Sequence, residues 1–154
     1  MSFIFHLAFP VRDLDAARTF YVDGLGCVPG RESRSALILE LGGHQLVAHL
    51  TRCAIAPQAG IYPRHFGLVF PELADWEALR DRARDRALTF YQEPKHRFSG
   101  QPTEHRTFFL EDPSGNLLEF KHYTRPSAIF GETQTAAVGD PKTQVSPKVG
   151  QTSG

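Results

Sequence analysis

The chain has 154 residues, and its 17 basic and 17 acidic residues give a net charge of zero. This length fits one domain or two small modules with a shared core, and the charge balance argues against a nucleic-acid or anionic-membrane partner. No apolar run reaches the roughly 18–20 residues that cross a bilayer, the first residues lack the basic region of a signal peptide, and only two cysteines occur. We therefore expect a cytoplasmic protein whose partner is a small molecule.

The first 60 residues predict one strand, one helix and then three more strands. The opening segment is aromatic and β-branched, as strands are. Asp13 has the character of a helix N-cap, apolar residues then recur at helical spacing, and two glycines end the pattern. A connector rich in Pro, Gly and Ala separates this βαβββ unit from the rest of the chain. The predicted elements are a strand at 3–11, a helix from 13 to 26, and strands at 27–31, 35–41 and 44–50.

The same order of elements begins again after the connector. A strand is followed by a helix that we expect to be capped at Asp75 and to bury Trp76, Leu79, Ala83 and Ala87. The predicted fold is therefore α+β, with two βαβββ modules in tandem at 1–60 and 61–125. Residues 126–154 contain few large apolar side chains and are predicted to form a flexible tail. The strands of the second module are predicted at 63–70, 89–98, 105–111 and 116–123.

An alignment of the two halves places one histidine at the same point of each first strand. His6 falls over His65, and the turn before the fourth strand also repeats. This register places Val47 opposite Glu119, so only the second half has a carboxylate at that position. Because repeated modules pack with pseudo-twofold symmetry, equivalent positions are expected to face each other or to line one cavity.

Glu119 is anomalous within an otherwise apolar strand. Since side chains alternate between the faces of a strand, Leu118 and Phe120 point to one side, while Leu117, Glu119 and Lys121 point to the other. A carboxylate in an enclosed space needs a cation or a proton. Two interpretations remain open at this point: a metal ligand, or an exposed face on which Glu119 and Lys121 are simply hydrated.

His6, His65 and Glu119 together have the composition of a facial triad, in which two imidazoles and one carboxylate hold a divalent metal and leave other coordination positions open. A single histidine of this kind is more often structural than a ligand, but the matched positions in the repeat favour ligation. Open positions allow water, dioxygen or a bidentate substrate to bind. We expect a divalent cofactor, Fe(II) in preference, with Mn(II), Zn(II) or Ni(II) as alternatives.

These residues resemble the vicinal oxygen chelate superfamily, which includes glyoxalase I, fosfomycin- and bleomycin-resistance proteins and extradiol dioxygenases. The matching segments are residues 6–11, 13–21, 65–67 and 112–120, and the resemblance spans about residues 3 to 123. It implies paired βαβββ modules whose mixed sheets curve into a metal-binding cup, commonly in a homodimer. Members of the family form this cup either within one chain or between two chains.

The resemblance also bears on the reaction. Glyoxalase I generally has a fourth ligand at the position of Val47, which disfavours that activity. His49 occupies the place where extradiol dioxygenases of this family carry an acid-base histidine, although their tyrosine before the glutamate is replaced here by Phe108-Phe109. We expect an extradiol-type dioxygenase for a catechol-like substrate. The alternatives are a glyoxalase-type isomerase or thiol transferase, with His49 as a possible fourth ligand, and a metal-free resistance protein that sequesters its ligand.

Four other residues are candidates for substrate binding. Gln45 and Val47 share the strand face of His49, and Lys121 and Tyr123 lie where they would close the rim of the site. His105 borders the loop at 99–103. The sequence favours a long hairpin over a lid for that loop.

Overall fold

The structure, a computed structural model, describes residues 1–136 and 138–139. Its element order confirms the predicted tandem βαβββ modules. Most of the predicted tail, including residues 140–154, lies outside the described residues. Within them, no helix has the length and apolar character that a membrane span requires. The elements are β1 His6–Val11, α1 Leu14–Arg18, β2 Val28–Glu32, β3 Ala36–Leu41, β4 His44–Leu50, β5 Phe66–Val69, α2 Leu73–Asp85, β6 Phe90–Arg97, β7 His105–Glu111, β8 Leu117–Tyr123 and α3 Ser127–Phe130.

The first module forms a four-stranded mixed sheet with the order β1-β4-β3-β2. β1 and β4 run parallel, and the other neighbours are antiparallel. Asp13 caps α1 as predicted, since its side chain accepts a hydrogen bond from the backbone N–H of Ala16 at 2.9 Å. The helix then widens into a π-helical segment, Thr19–Leu25, which the 3.6-residue spacing did not indicate.

The second module repeats this arrangement as a separate sheet with the order β5-β8-β7-β6. Its helix differs from the prediction at both ends. α2 begins at Leu73 with Glu72 at the N-cap position, so the predicted cap, Asp75, lies inside the first turn, where an acidic side chain favours the helix dipole. Ala87 lies beyond the helix end, exposed and with a positive φ, and is not part of its buried stripe.

One hydrophobic core joins the two modules. It includes Phe9 from β1, Tyr21 from the π-helical segment, Trp76 from α2 and Phe120 from β8. The Trp76 indole donates to the carbonyl of Phe120 at 2.9 Å. The side chains that alternate with the core residues of each sheet therefore point away from this shared core. Each sheet thus has a second face that is not part of the core.

The strand pairings confirm the register of the repeat. Ala8 pairs with Val47 in the first sheet, and Gly67 pairs with Glu119 in the second. A Cβ atom at Gly67 would overlap the backbone carbonyl of Glu119, so glycine is required there for the close approach of β5 to β8. The space beside Gly67 is occupied by the backbone of the neighbouring strand.

Candidate active site

Glu119 is the centre of the polar site on the second sheet. Glu119 is only 7% exposed. Carboxylate oxygen Oε1 accepts a hydrogen bond from the Thr107 hydroxyl at 2.7 Å. Oxygen Oε2 lies 3.0 Å from Nε2 of His65 and 3.1 Å from Nζ of Lys121. This buried carboxylate is therefore held by two cationic or proton-bearing groups and one hydroxyl.

The local folding of the sheet explains this convergence. β7 and β8 are antiparallel, with Thr107 opposite Lys121 and Phe109 opposite Glu119. These four side chains share one sheet face because they occupy alternate positions of neighbouring strands. His65 precedes β5, the other neighbour of β8, and its ring packs edge-on against Phe109 at a centroid distance of 5.2 Å.

A backbone carbonyl fixes the orientation of the His65 ring. Its Nδ1 lies 2.7 Å from the carbonyl oxygen of Ile61, and because a carbonyl can only accept, Nδ1 carries a proton. Nε2 then faces Glu119 with two chemical options. It bears a second proton that it shares with the carboxylate, or it offers its lone pair to a metal ion. A carbonyl behind a ligating histidine is a common means of fixing its tautomer.

The ionisation of the pair follows from these contacts. Burial by itself raises the pKa of Glu119, but the hydrogen bond with His65, the nearby Lys121 ammonium and the Thr107 hydroxyl outweigh it and lower the pKa to about 2. The hydrogen bond with Glu119 is also the main cause of the raised pKa of His65, against the opposing effect of burial. The site therefore holds a carboxylate at neutral pH and favours a positively charged partner beside it.

The third member of the predicted triad lies elsewhere. His6 is exposed on β1, where its Nδ1 lies 2.7 Å from the Gln45 side-chain oxygen. Among residues 1–136 and 138–139, no three His, Cys, Asp or Glu side chains converge closely enough to hold a metal ion. The structure thus brings His65 and Glu119 together but does not bring His6 to them. One chain supplies a nitrogen and an oxygen donor, which is an incomplete set for a facial triad.

The remaining candidates divide between the two sheets. Gln45, Val47 and His49 occupy alternate positions of β4, on the same face as His6. His49 is exposed, and four residues, roughly 13 Å of strand, separate it from Gln45, the partner of His6. Lys121 contacts Glu119 directly, as described above.

Tyr123 ends β8 beside His105, with the ring centroids 5.1 Å apart. On this face of the second sheet, Thr107 had no assigned role in the sequence, although the alternation of β7 was a usable signal for it. His105 was assigned to the border of a loop, but it is almost fully buried, at 4% exposed.

The chain has two mixed sheets of the same βαβββ order, and each sheet has one face turned away from a shared core. This is the architecture of proteins built from two paired βαβββ modules. The chain belongs to the Glyoxalase/Bleomycin resistance protein/Dioxygenase superfamily, whose family model matches residues 3–120.

Solved structures agree with this assignment. A glyoxalase/bleomycin resistance protein/dioxygenase from Alicyclobacillus acidocaldarius is 43% identical, with a TM-score of 0.78 over 82% of this chain and 96% of that one. A lactoylglutathione lyase from Agrobacterium tumefaciens is 20% identical, with a TM-score of 0.62 over 85% of this chain and 98% of that one, and this likeness shows the fold alone. The comparison with curated proteins gave no match. The superfamily commonly uses divalent metals and includes enzymes.

Proposed function

We propose that the protein is a metal-dependent enzyme of the extradiol-dioxygenase type, acting on a substrate that presents two neighbouring oxygen atoms. The observation that carries this proposal is the pairing of His65 Nε2 with the buried Glu119 carboxylate, 3.0 Å apart. The Ile61 carbonyl keeps the Nε2 lone pair available for a metal when no second proton is present. These features suit a nitrogen and an oxygen ligand of one metal ion.

The third ligand in this proposal is His6 from a second copy of the chain. His6 is exposed, and the nearby residues Phe3, Ile4 and Phe5 are also exposed and apolar. Contiguous apolar surface of this kind favours a protein interface. In the proposed homodimer, this surface is covered and the His6 face of one chain lies over the Glu119 face of the other. Gln45, Val47 and His49 would arrive with His6, since they lie on the same sheet face.

A divalent metal bound there would polarise the substrate oxygens and leave positions for dioxygen. The residues of the chain would bind and orient the substrate. Thr107 would hold Glu119 through its hydrogen bond, Gln45 would orient His6, and His49 is the candidate for taking a proton from the substrate. Lys121 would have to leave Oε2 or share it, because it approaches the same oxygen as His65.

That position of Lys121 favours a second candidate function. The carboxylate of Glu119 already has a charge-compensating ammonium at 3.1 Å and two hydrogen-bond donors. A site neutralised in this way can bind an organic ligand without a metal. The alternative proposal is therefore a metal-free binding protein that sequesters a small molecule against the second sheet.

Elemental analysis of the freshly purified protein would separate the two candidates, with His65→Ala and Glu119→Ala as test variants. His96→Ala is the matched control, because His96 is an exposed histidine that pairs with Glu104 instead. Iron or manganese that is retained in the control and lost in both test variants supports the enzyme. Oxygen uptake with a panel of catechols then tests the reaction. Protein that cannot be loaded with any divalent metal would overturn the enzyme proposal and favour the binding protein.

A further inference from the structure

Buried polar atoms without hydrogen-bond partners concentrate at one end of the second sheet. Among the described residues, four buried side-chain polar atoms lack a partner, and three of them belong to Arg97, Thr103 and His105. The atoms are Nε of Arg97, Oγ1 of Thr103 and Nε2 of His105. Leaving a buried donor or acceptor unpaired costs the free energy of removing that group from water. Three such atoms on neighbouring residues therefore need hydrogen-bond partners that the described residues do not supply.

The three residues are held together by the backbone. Arg97 and His105 are cross-strand partners of β6 and β7. His105 Nδ1 lies 2.9 Å from the Thr103 carbonyl and donates to it, so the unpaired Nε2 carries the lone pair of the neutral ring. The His105 ring packs between Phe98 and Tyr123, at centroid distances of 5.7 and 5.1 Å. These contacts fix the ring and leave Nε2 as its free polar atom.

This cluster shares a sheet face with the Glu119 site. His105 and Thr107 are alternate residues of β7, and Thr107 contacts Glu119. Two residues of strand, roughly 7 Å, separate His105 from Thr107, whose hydroxyl donates to the Glu119 carboxylate. The cluster and the Glu119 carboxylate are therefore two ends of one face.

The charge around the cluster is positive. With the Gln92 amide oriented so that its oxygen faces the cations, that oxygen accepts from Lys95 Nζ at 2.8 Å and from Arg97 Nη2 at 3.0 Å. The nearby acids are already engaged, Glu119 with His65 and Lys121.

Glu104 is likewise engaged, with His96 at 2.6 Å and the Gly100 N–H at 2.9 Å. The Arg97 guanidinium thus has no carboxylate partner among the described residues, and its Nε–H donor is directed to no acceptor.

We propose that Arg97, Thr103 and His105 form a subsite for an oxyanion, a carboxylate or phosphoryl group at the far end of the substrate. Arg97 Nε–H and the Thr103 hydroxyl donate to its oxygens. His105 Nε2 accepts from a protonated oxygen of the group, or takes up a proton and donates. The link to a substrate rests on the proposed function, and it makes that substrate an acid whose charged group lies at the His105 end of this sheet face and whose reacting end lies at Glu119.

The test is a titration of metal-stripped protein with inorganic phosphate and, separately, with acetate, followed by the ¹⁵N and ¹H signals of the His105 imidazole. Assignment uses His105→Gln. We expect saturable shifts with at least one anion, and the anion that binds more tightly identifies the group. Arg97→Gln and Thr103→Val should each weaken binding about tenfold or more, with folding checked by circular dichroism.

Arg106→Gln is the matched control, because Arg106 is the neighbour of His105 on the same strand and so points to the opposite face. It removes the same charge and should leave anion affinity within about twofold. Unmoved His105 signals with both anions, or equal weakening by Arg97→Gln and Arg106→Gln, would overturn the subsite. Because no metal and no turnover enter this measurement, its outcome is independent of the metal analysis that tests the proposed function.

Discussion

The two sheets repeat one pattern of strands, but their open faces differ in chemistry. On the second sheet, Glu119 is buried and held by His65, Thr107 and Lys121. On the first sheet, the equivalent position is the apolar Val47, and its histidine, His6, is exposed. The backbone register is the same in both, since Ala8 pairs with Val47 as Gly67 pairs with Glu119. The repeat therefore gives both modules the same strand register. Only the second module forms an ionised site, because it carries Glu119 where the first module carries Val47.

Gly67→Ala should have the largest effect on stability. The added Cβ would overlap the backbone carbonyl of Glu119, and rigid backbone cannot yield as a side chain can, so we expect a loss of about 3 kcal/mol or more. The equivalent position in the first module already carries the Cβ of Ala8, and Ala8→Gly should cost only about 0.5–1 kcal/mol. Urea unfolding of both variants measures the difference. Equal losses of unfolding free energy in the two variants would show that β5 lies no closer to β8 than β1 lies to β4.

Glu119→Gln should be the next most damaging change. The amide leaves the Lys121 ammonium and the His65 ring without their carboxylate, and we expect a loss of about 2–3 kcal/mol at pH 7. Glu104→Gln is the control, because it removes a carboxylate from a histidine pair at the surface, and its effect should be much smaller. If both variants lose the same stability in urea unfolding, the buried site on the second sheet does not stabilise the fold.

The pH dependence tests the same carboxylate in the unmodified protein. Because the folded pKa of Glu119 is about 2 and its ordinary value is 4.5, its contribution is present above pH 4.5 and is lost as the pH falls toward 2. Between pH 5 and pH 3 the stability difference between wild type and Glu119→Gln should shrink by about 1–2 kcal/mol. Urea unfolding across this range is the measurement. A constant difference would mean that Glu119 does not ionise with a lowered pKa.

Lys121→Met should strengthen divalent metal binding about tenfold. Lys121 Nζ approaches the same Glu119 oxygen as His65, so its removal frees that oxygen and removes a competing positive charge. Competition with a chromophoric chelator measures the change. Lys95→Met is the control, since Lys95 contacts Gln92 instead. Weaker metal binding in Lys121→Met would show that the ammonium positions the carboxylate and does not compete for it.

His49→Ala should have the smallest effect on stability and metal content. The side chain is exposed, so we expect a stability change within about 0.5 kcal/mol and unchanged bound metal. If His49 is the acid-base residue, oxygen uptake should still fall about a hundredfold or more. Loss of metal from this variant would instead identify His49 as a fourth ligand.

Much of this architecture was predictable from periodicity and repetition. The alignment of His6 with His65 placed Val47 over Glu119, and the strand pairings confirm that register. Alternation along β8 also separated the face of Glu119 from that of Phe120, which lies in the core. These features follow from local rules that each module obeys separately.

Features that depend on packing between elements were not predictable in the same way. The widening of the first helix at Thr19 has no counterpart in the residue spacing of the sequence. The burial of His105 depends on Phe98 and Tyr123, which are distant from each other in sequence. The separation of His6 from His65 reflects how the modules share one core, and a repeat pattern does not specify that arrangement.

The most direct test of the central claim is metal binding by a mixture of two defective variants, His6→Ala and Glu119→Ala, each bearing a different affinity tag. In a site shared between chains, a heterodimer combines His6 of one variant with His65 and Glu119 of the other. We predict that each variant alone binds no metal and that purified heterodimers hold a single metal ion. Heterodimers without metal, beside wild-type protein that binds it, would contradict a site completed by a second copy of the chain.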